Sequence, residues 1–143
     1  MVAEPQDEHD AAVDEDLLPA ADVQHLRARR LNFRASTSGN FIDVVIAGYR
    51  LPAGFDHDAS DLLVRLPANG WPDVKPDMWW FDPWIKIAAT GGYPPAADTP
   101  EVIEGRRWQR WSRHFSASSW QPGLDGLGTY LAMVDRELVL AVS

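Results

Sequence analysis

Apolar residues at helical spacing occur near both ends of the chain. Near the start, Val23 and Leu26 lie three residues apart within residues 17–30, a segment that opens with a proline and an aspartate and ends with three arginines. Acid before base is the order that the helix dipole favours, so this segment predicts a short helix. Near the end, apolar residues at alternating spacings of three and four predict an amphipathic closing helix. These residues are Leu124, Leu127, Leu131, Val134 and Leu138.

Four strand-like runs lie between the two predicted helices. Residues 31–35 and 41–51 are rich in β-branched and aromatic residues and flank a Ser/Gly/Asn turn, which predicts a hairpin. Residues 62–67 predict a third strand, and the aromatic run at 78–81 predicts a short fourth one. Because short turns separate consecutive strands, the pattern indicates an antiparallel meander.

Residues 82–107 lack any sustained hydrophobic period and are rich in Pro, Gly, Ala and Asp. This composition predicts a long irregular loop, and such loops are usually functional or mobile. Together with the helices, the pattern predicts an α+β domain in which a four-stranded antiparallel meander packs against flanking helices.

The acidic residues are concentrated at the start of the chain. Of the 21 acids among the 143 residues, seven lie in residues 1–16, so the other 14 face 13 lysines and arginines. We therefore predict a solvated, disordered lead over residues 1–16 and a single, nearly neutral domain over residues 17–143. The chain shows neither a run of about 18 apolar residues nor an apolar signal segment, so we expect a cytoplasmic protein that does not enter membranes.

The sequence contains no cysteine, which excludes disulfides, thiolate metal ligands and thiol nucleophiles together. The histidines are scattered, and neither a phosphate-binding loop nor a dinucleotide fingerprint is present. We therefore expect no metal site and no cofactor. The four histidines are His9, His25, His57 and His114.

Several motifs resemble the ubiquitin-conjugating (UBC) fold, whose order of elements also matches the predicted one. Residues 62–81 resemble the third strand, the Pro-containing loop and the aromatic fourth strand of that fold, and Trp120 and Pro122 resemble the pair that opens the helix after its active site. The strings GGYPPAAD, GRRWQRWSRH and WQPGLDGL are similar to bacterial UBC-like proteins called prokaryotic family E. The resemblance covers roughly residues 40–140. The motifs within 62–81 are Leu66-Pro67, Trp71-Pro72, Pro76 and Trp79-Trp80-Phe81.

The resemblance implies both partners and a position for the reactive residue. The partners are a ubiquitin-like protein, a ThiF-type activating enzyme and a JAB-type peptidase. In the common UBC pattern the catalytic cysteine lies eight residues before the tryptophan that matches Trp120, and that position holds Ser112 here. The loop before Trp120 varies in length, so Ser116, Ser118 and Ser119 are further candidates. The usual His-Pro-Asn motif is also missing.

A serine needs a base where a cysteine does not, because its hydroxyl ionises far less readily than a thiol. Residues two apart in an extended segment point to the same side, so Ser112 and His114 are predicted neighbours and form the candidate catalytic pair. An acid that orients His114 has to come from elsewhere, and Asp98, Glu101 and Glu104 are the candidates.

A second group of candidate residues mixes tryptophans with arginines around Ser112. Tryptophan and arginine dominate protein-binding surfaces, and the same mixture can stack on single-stranded nucleic acid. Alternatively, the tryptophans pack inside the protein while the arginines pair with acids. The nearly neutral body argues against nucleic acid. The candidate partner-binding residues are Arg106, Arg107, Trp108, Arg110, Trp111 and Arg113.

Three functions follow from these observations. The first is a UBC-like component of a bacterial ubiquitin-like protein pathway that binds the ubiquitin-like protein or its activating enzyme without thioester catalysis. The second is an active conjugating enzyme, which uses Ser112 with His114 or has had a native cysteine replaced. The third is an aromatic-basic adaptor for peptides or nucleic acid.

Overall fold

A six-stranded antiparallel sheet and two helices form the part of the chain that the computed structural model describes, residues 16–115 and 119–143. Residues 1–15 of the predicted disordered lead lie outside these described residues. The helices are α1 (Ala20–Ala28) and α2 (Leu127–Ala141), and the strands are β1 (Asn32–Ser38), β2 (Phe41–Arg50), β3 (Ala59–Pro67), β4 (Met78–Asp82), β5 (Thr99–Ile103) and β6 (Arg106–Ser112).

The sheet is larger than the four-stranded meander that the sequence predicted. Its strand order is β1-β2-β3-β4-β6-β5, so the four predicted strands are consecutive neighbours, and a β5–β6 hairpin extends the sheet beyond β4. The α+β class is confirmed, whereas the count of four strands is wrong. The prediction of a continuous loop over residues 82–107 is wrong as well, because β5 and the start of β6 lie within it.

The two unpredicted strands lack the usual strand signals for physical reasons. β5 contains Pro100, a residue that argues against a strand, but β5 is the edge of the sheet, where proline is tolerated. In β6, Trp108 and Trp111 are three residues apart and lie on opposite faces, and both are buried. A strand that is buried on both faces shows no alternation of polar and apolar residues.

Both helices pack on one face of the sheet, which we call the inner face. Four of the five predicted apolar residues of α2 are fully buried there, but Leu124 precedes the helix and is 76% exposed, so its predicted place in the stripe is wrong. Helix α1 contributes Val23 and Leu26 to the same core, as its spacing predicted. The four buried residues of α2 are Leu127, Leu131, Val134 and Leu138.

The opposite face of the sheet, the outer face, carries a second and smaller apolar cluster. Trp79 and Trp80 point to opposite faces of β4, as consecutive residues of a strand do: Trp79 joins the inner core, and Trp80 packs with Leu63, Ile103 and Trp108. We call these four residues the outer cluster. Both tryptophans are buried, and the β5–β6 hairpin rather than an irregular loop covers Trp80.

The irregular stretch between β4 and β5 is tied to the sheet by one buried amide. The Gln109 side chain on β6 is 0% exposed; its Oε1 accepts a hydrogen bond from the Ile85 N–H at 2.9 Å. Its Nε2 donates to the carbonyl oxygens of Ile85 at 2.9 Å and Ala97 at 2.8 Å. This side chain therefore satisfies three backbone groups that water does not reach.

We expect Gln109→Leu to lower the free energy of unfolding by about 2–4 kcal/mol, because three buried backbone groups lose their partner while the side-chain volume changes little. Urea denaturation measures the loss, and amide hydrogen exchange at Ile85 should accelerate before global unfolding. Gln121→Leu, at an exposed position, is the matched control. Unchanged stability in Gln109→Leu would contradict the proposed role of the amide.

Within the described residues, neither helix is long and apolar enough to cross a membrane.

Candidate functional site

Ser112 is the last residue of β6 and is held by backbone contacts on both sides. Its N–H donates to the Ala96 carbonyl oxygen at 3.0 Å, and its Cα pairs with that of Met78 on β4. The next residue, Arg113, donates its N–H to the Asp77 carbonyl oxygen at 3.0 Å. The backbone of Ser112, whose side chain is half-buried, is therefore fixed at the end of the sheet.

The predicted pair of Ser112 and His114 lines one open cavity of about 410 Å³. Its other walls come from the turn around Pro95 and from the last turns of α2, including Leu140. His114 is exposed, and among the described residues no hydrogen bond joins its ring to the Ser112 hydroxyl. The two residues share a wall, but a base-to-nucleophile contact is not made in this conformation.

The acid that lines the same cavity as this pair comes from α2. Glu137 lines the cavity together with Ser112 and His114, but its Oε1 accepts a hydrogen bond from Arg113 Nε at 3.0 Å. Arg113 also donates to the Pro95 carbonyl oxygen at 2.9 Å. No short-range sequence signal links Glu137 to the serine, since only the packing of α2 against the end of β6 brings them together.

The three acids suggested by the sequence lie elsewhere. Glu101 accepts a hydrogen bond from Trp80 Nε1 at 3.1 Å and faces Arg110 at 3.6 Å. Glu104 is in the turn between β5 and β6, and neither Glu104 nor Asp98 lines the cavities around His114.

A second cavity of about 250 Å³ adjoins the first, since His114 and Glu137 line both. Its remaining walls include Phe115, Met133 and the alternative serine Ser119, which is exposed. The other two alternatives, Ser116 and Ser118, lie outside the described residues. We call these two adjoining cavities, which lie between the end of β6 and α2, the His114 recess.

Two tryptophans anchor the chain that follows the recess. Trp120 is 7% exposed and donates its Nε1 hydrogen to the Pro72 carbonyl oxygen at 2.8 Å. Its ring lies 5.7 Å from the Trp71 ring, measured between centroids. Pro122 follows in the turn that precedes α2. The Trp-Pro motifs around residues 71 and 120 therefore meet and hold one end of the recess.

The tryptophans of the aromatic-basic string are buried. Trp111 is 0% exposed in the inner core, and Trp108 is 2% exposed in the outer cluster. A partner that approaches this conformation therefore meets the arginines and not the tryptophan rings. Binding of a partner by the string stays a prediction.

Most of the arginines in this string face acids. Arg106 donates to Asp82 at 2.6 Å and to Asp61 at 2.7 Å, and these hydrogen bonds raise its pKa although burial acts in the opposite direction. Arg110 faces Glu101, and Arg113 faces Glu137. Arg107 differs, because it is exposed and lies over the ring of Trp84 at 5.5 Å.

The described side chains that line the recess carry more positive than negative charge. Arg113 and Arg136 bring two positive charges, against the single negative charge of Glu137. Among the described residues, no group of three or more His, Asp and Glu side chains lies close enough to hold a metal ion. The available chemical groups are thus hydroxyls, one imidazole and one ion pair.

Comparison with known proteins places the chain in a family. A family model described as prokaryotic E2 family E matches residues 18–141, which is most of the 143 residues. No curated protein and no solved structure matches the chain. The matched region includes the whole sheet, both helices and the His114 recess. The chain therefore belongs to prokaryotic E2 family E.

Proposed function

We propose that the protein is a component of a bacterial ubiquitin-like protein pathway that binds the ubiquitin-like protein, its activating enzyme or both, without forming a thioester. One observation carries this proposal: an E2-family chain that matches its family model over residues 18–141 has no cysteine among its 143 residues. Thioester transfer needs a thiolate, which serves as both nucleophile and leaving group.

The surroundings of Ser112 support a binding role over catalysis. A serine nucleophile is normally activated by a hydrogen-bonded base, which is itself oriented by an acid. Here the His114 ring makes no hydrogen bond to Ser112, and the carboxylate of Glu137 is bound to Arg113. The parts of such a relay are near each other but are not connected.

The His114 recess is the surface that we propose for the partner. It combines the exposed Leu140 and the half-buried Met133 and Ala141 of α2 with the Arg113–Glu137 ion pair, a mixture typical of protein interfaces. An extended segment, such as the tail of a ubiquitin-like protein, fits an open recess of this kind. A JAB-type peptidase is a further partner proposed from the family resemblance.

Adjacent exposed residues of α2 allow a controlled test of binding. Leu140 lines the recess and is 56% exposed, whereas its neighbour Val139 is 51% exposed and does not line it. We expect Leu140→Glu to weaken binding of the ubiquitin-like protein or the activating enzyme, measured by calorimetry, by about tenfold or more. Val139→Glu should bind like the unmodified protein. Equal affinities for both variants would move the interface away from the recess.

A second experiment tests whether the protein forms a covalent adduct with the ubiquitin-like protein. The protein is incubated with its cognate ubiquitin-like protein, the activating enzyme and ATP, and the products are separated with and without hydroxylamine. We expect no adduct from the unmodified protein. A hydroxylamine-sensitive adduct that disappears in Ser112→Ala but persists in Ser119→Ala would overturn the non-catalytic proposal.

The second candidate function is conjugation through Ser112, favoured by the single observation that Ser112 and His114 line the same cavity. Binding of a partner in the recess could close the gap between them, since catalytic hydrogen bonds often tighten only in the complex. The alternative of a replaced native cysteine is tested with Ser112→Cys. A thiol-sensitive adduct of that variant, with none from the unmodified protein, would support it.

A further inference from the structure

A buried carboxylate on the outer face of the sheet has one oxygen without a partner. The Asp43 side chain on β2 is 3% exposed, and its Oδ1 accepts a hydrogen bond from Arg65 Nε at 2.8 Å. Its Oδ2 is also buried, yet no donor among the described residues reaches it. A buried carboxylate oxygen without a hydrogen bond is costly, so a donor from outside the chain is expected to satisfy it.

Asp43 lines a small pocket that can supply such a donor. The pocket has a volume of about 140 Å³ and lies beside the β5–β6 hairpin. Its apolar walls are Val45, Leu63, Ile103 and Trp108. The pocket shares no lining residue with the His114 recess. It is therefore a separate site with an acceptor and a hydrophobic wall.

The charge around the pocket favours a cation. Glu104 lies on its rim, is exposed, and forms no ion pair with the described residues. Arg106 also lines the pocket, but its guanidinium is held by Asp61 and Asp82. Among the charged residues that line the pocket and the ion-pair partners of Asp43 and Arg106, there are four acids and two arginines. The surplus of negative charge selects against anionic ligands.

We propose that this pocket binds an organic cation that donates hydrogen bonds, an alkylammonium or alkylguanidinium group such as the end of a lysine or arginine side chain of another protein. One N–H satisfies Asp43 Oδ2, the charge is balanced by Glu104, and the alkyl stem lies against Val45 and Leu63. A bare metal ion fits poorly, because the walls are apolar and the pocket offers one buried unpaired carboxylate oxygen, Asp43 Oδ2, beside the exposed carboxylate of Glu104.

Four small probes test the chemistry on the full-length protein. n-Butylammonium represents the lysine source and n-propylguanidinium the arginine source; n-butanol removes the charge, and tetramethylammonium keeps the charge but has no N–H. Amide and indole NMR shifts are followed during titration at constant ionic strength. We expect saturable shifts at Asp43, Glu104 and the Trp108 indole with butylammonium, propylguanidinium or both. n-Butanol, which is neutral, and tetramethylammonium, which has no N–H, should shift these signals little. Equal shifts with butanol, or none with either donor cation, would overturn the proposal.

Three variants test whether the cation binds in this pocket. Asp43→Asn should weaken binding of the effective cation by about tenfold, the size expected for one charge-assisted hydrogen bond. Glu104→Gln, at an exposed turn, should weaken it by roughly two- to threefold and carries the test if Asp43→Asn does not fold. Asp98→Asn removes an exposed acid outside the pocket and should bind normally. If Glu104→Gln and Asp98→Asn change affinity equally, the cation is attracted by general charge and not by this pocket.

Discussion

Replacing Trp111 by alanine is expected to lower the free energy of unfolding by about 3–5 kcal/mol, the usual cost of truncating a buried tryptophan. Trp111 is 0% exposed, and its ring centroid lies 5.9 Å from those of Trp79 and Phe81 and 6.3 Å from that of Phe55. The truncation leaves a cavity between rigid rings, which relax less than flexible aliphatic side chains. Urea denaturation with tryptophan fluorescence and circular dichroism measures the loss.

Two variants distinguish packing in the inner core from a general effect of losing a tryptophan. Trp108→Ala, three residues earlier, removes the same group from the smaller outer cluster and should cost less, since that cluster has four buried members. Trp111→Phe keeps a ring and removes an indole N–H that has no partner among the described residues, so it should cost less than alanine. If Trp108→Ala proved as costly as Trp111→Ala, the outer face would be as important to stability as the inner core.

The sequence predicts the first part of the sheet well because the relevant signals are local. In β2, Val44 and Ile46 lie on the inner face and are fully buried, as the alternation of residues indicates. The bulge at Gly48, where φ is +61°, then shifts the register and turns Tyr49 into the core. Alternation alone places Tyr49 on the outer face, so its burial could not be predicted.

The candidate site was predictable only where its residues are close in sequence. The resemblance to the UBC pattern, through its spacing to Trp120, points to Ser112, and a separation of two residues points to His114. The partner of Arg113, Glu137, comes from a helix that begins 14 residues later, and this contact depends on how α2 packs on the sheet. The unpaired oxygen of Asp43 is likewise a property of the folded sheet, since no sequence pattern reports an absent hydrogen bond.

The chain belongs to prokaryotic E2 family E and contains no cysteine. Residues that hold the recess in place are buried and hydrogen-bonded: Trp120 is fixed to Pro72, and Gln109 is fixed to the turn before β5. Two residues whose side chains could take part in a reaction, His114 and Ser119, are exposed. An architecture that orders the backbone around a site while leaving its polar groups accessible suits recognition of a partner.

Asp22→Ala is expected to destabilise the protein by about 3–5 kcal/mol, because it removes one buried carboxylate that satisfies two donors from distant elements. Asp22 is 3% exposed; Oδ1 accepts the N–H of Leu127, the first residue of α2, at 3.0 Å, and Oδ2 accepts the Trp71 indole N–H at 2.8 Å. The negative charge also lies at the positive end of the α2 dipole. Gly126 permits this approach, since a β-carbon there would lie 2.9 Å from Oδ1.

The same contacts link stability to the candidate site, because the Trp71 ring also packs against the Trp120 ring at the end of the His114 recess. Asp22→Asn retains one acceptor and should fall between the wild-type protein and Asp22→Ala in urea denaturation. Trp71→Phe removes one of the two donors, so Asp22→Ala should cost less in that background than in the wild type, a coupling that a double-mutant cycle measures. If the losses of stability from Asp22→Ala and Trp71→Phe were additive, the Asp22 carboxylate would act on α2 alone. In that case Asp22→Ala would raise the hydrogen-exchange rates of the first amides of α2 without any change around Trp120.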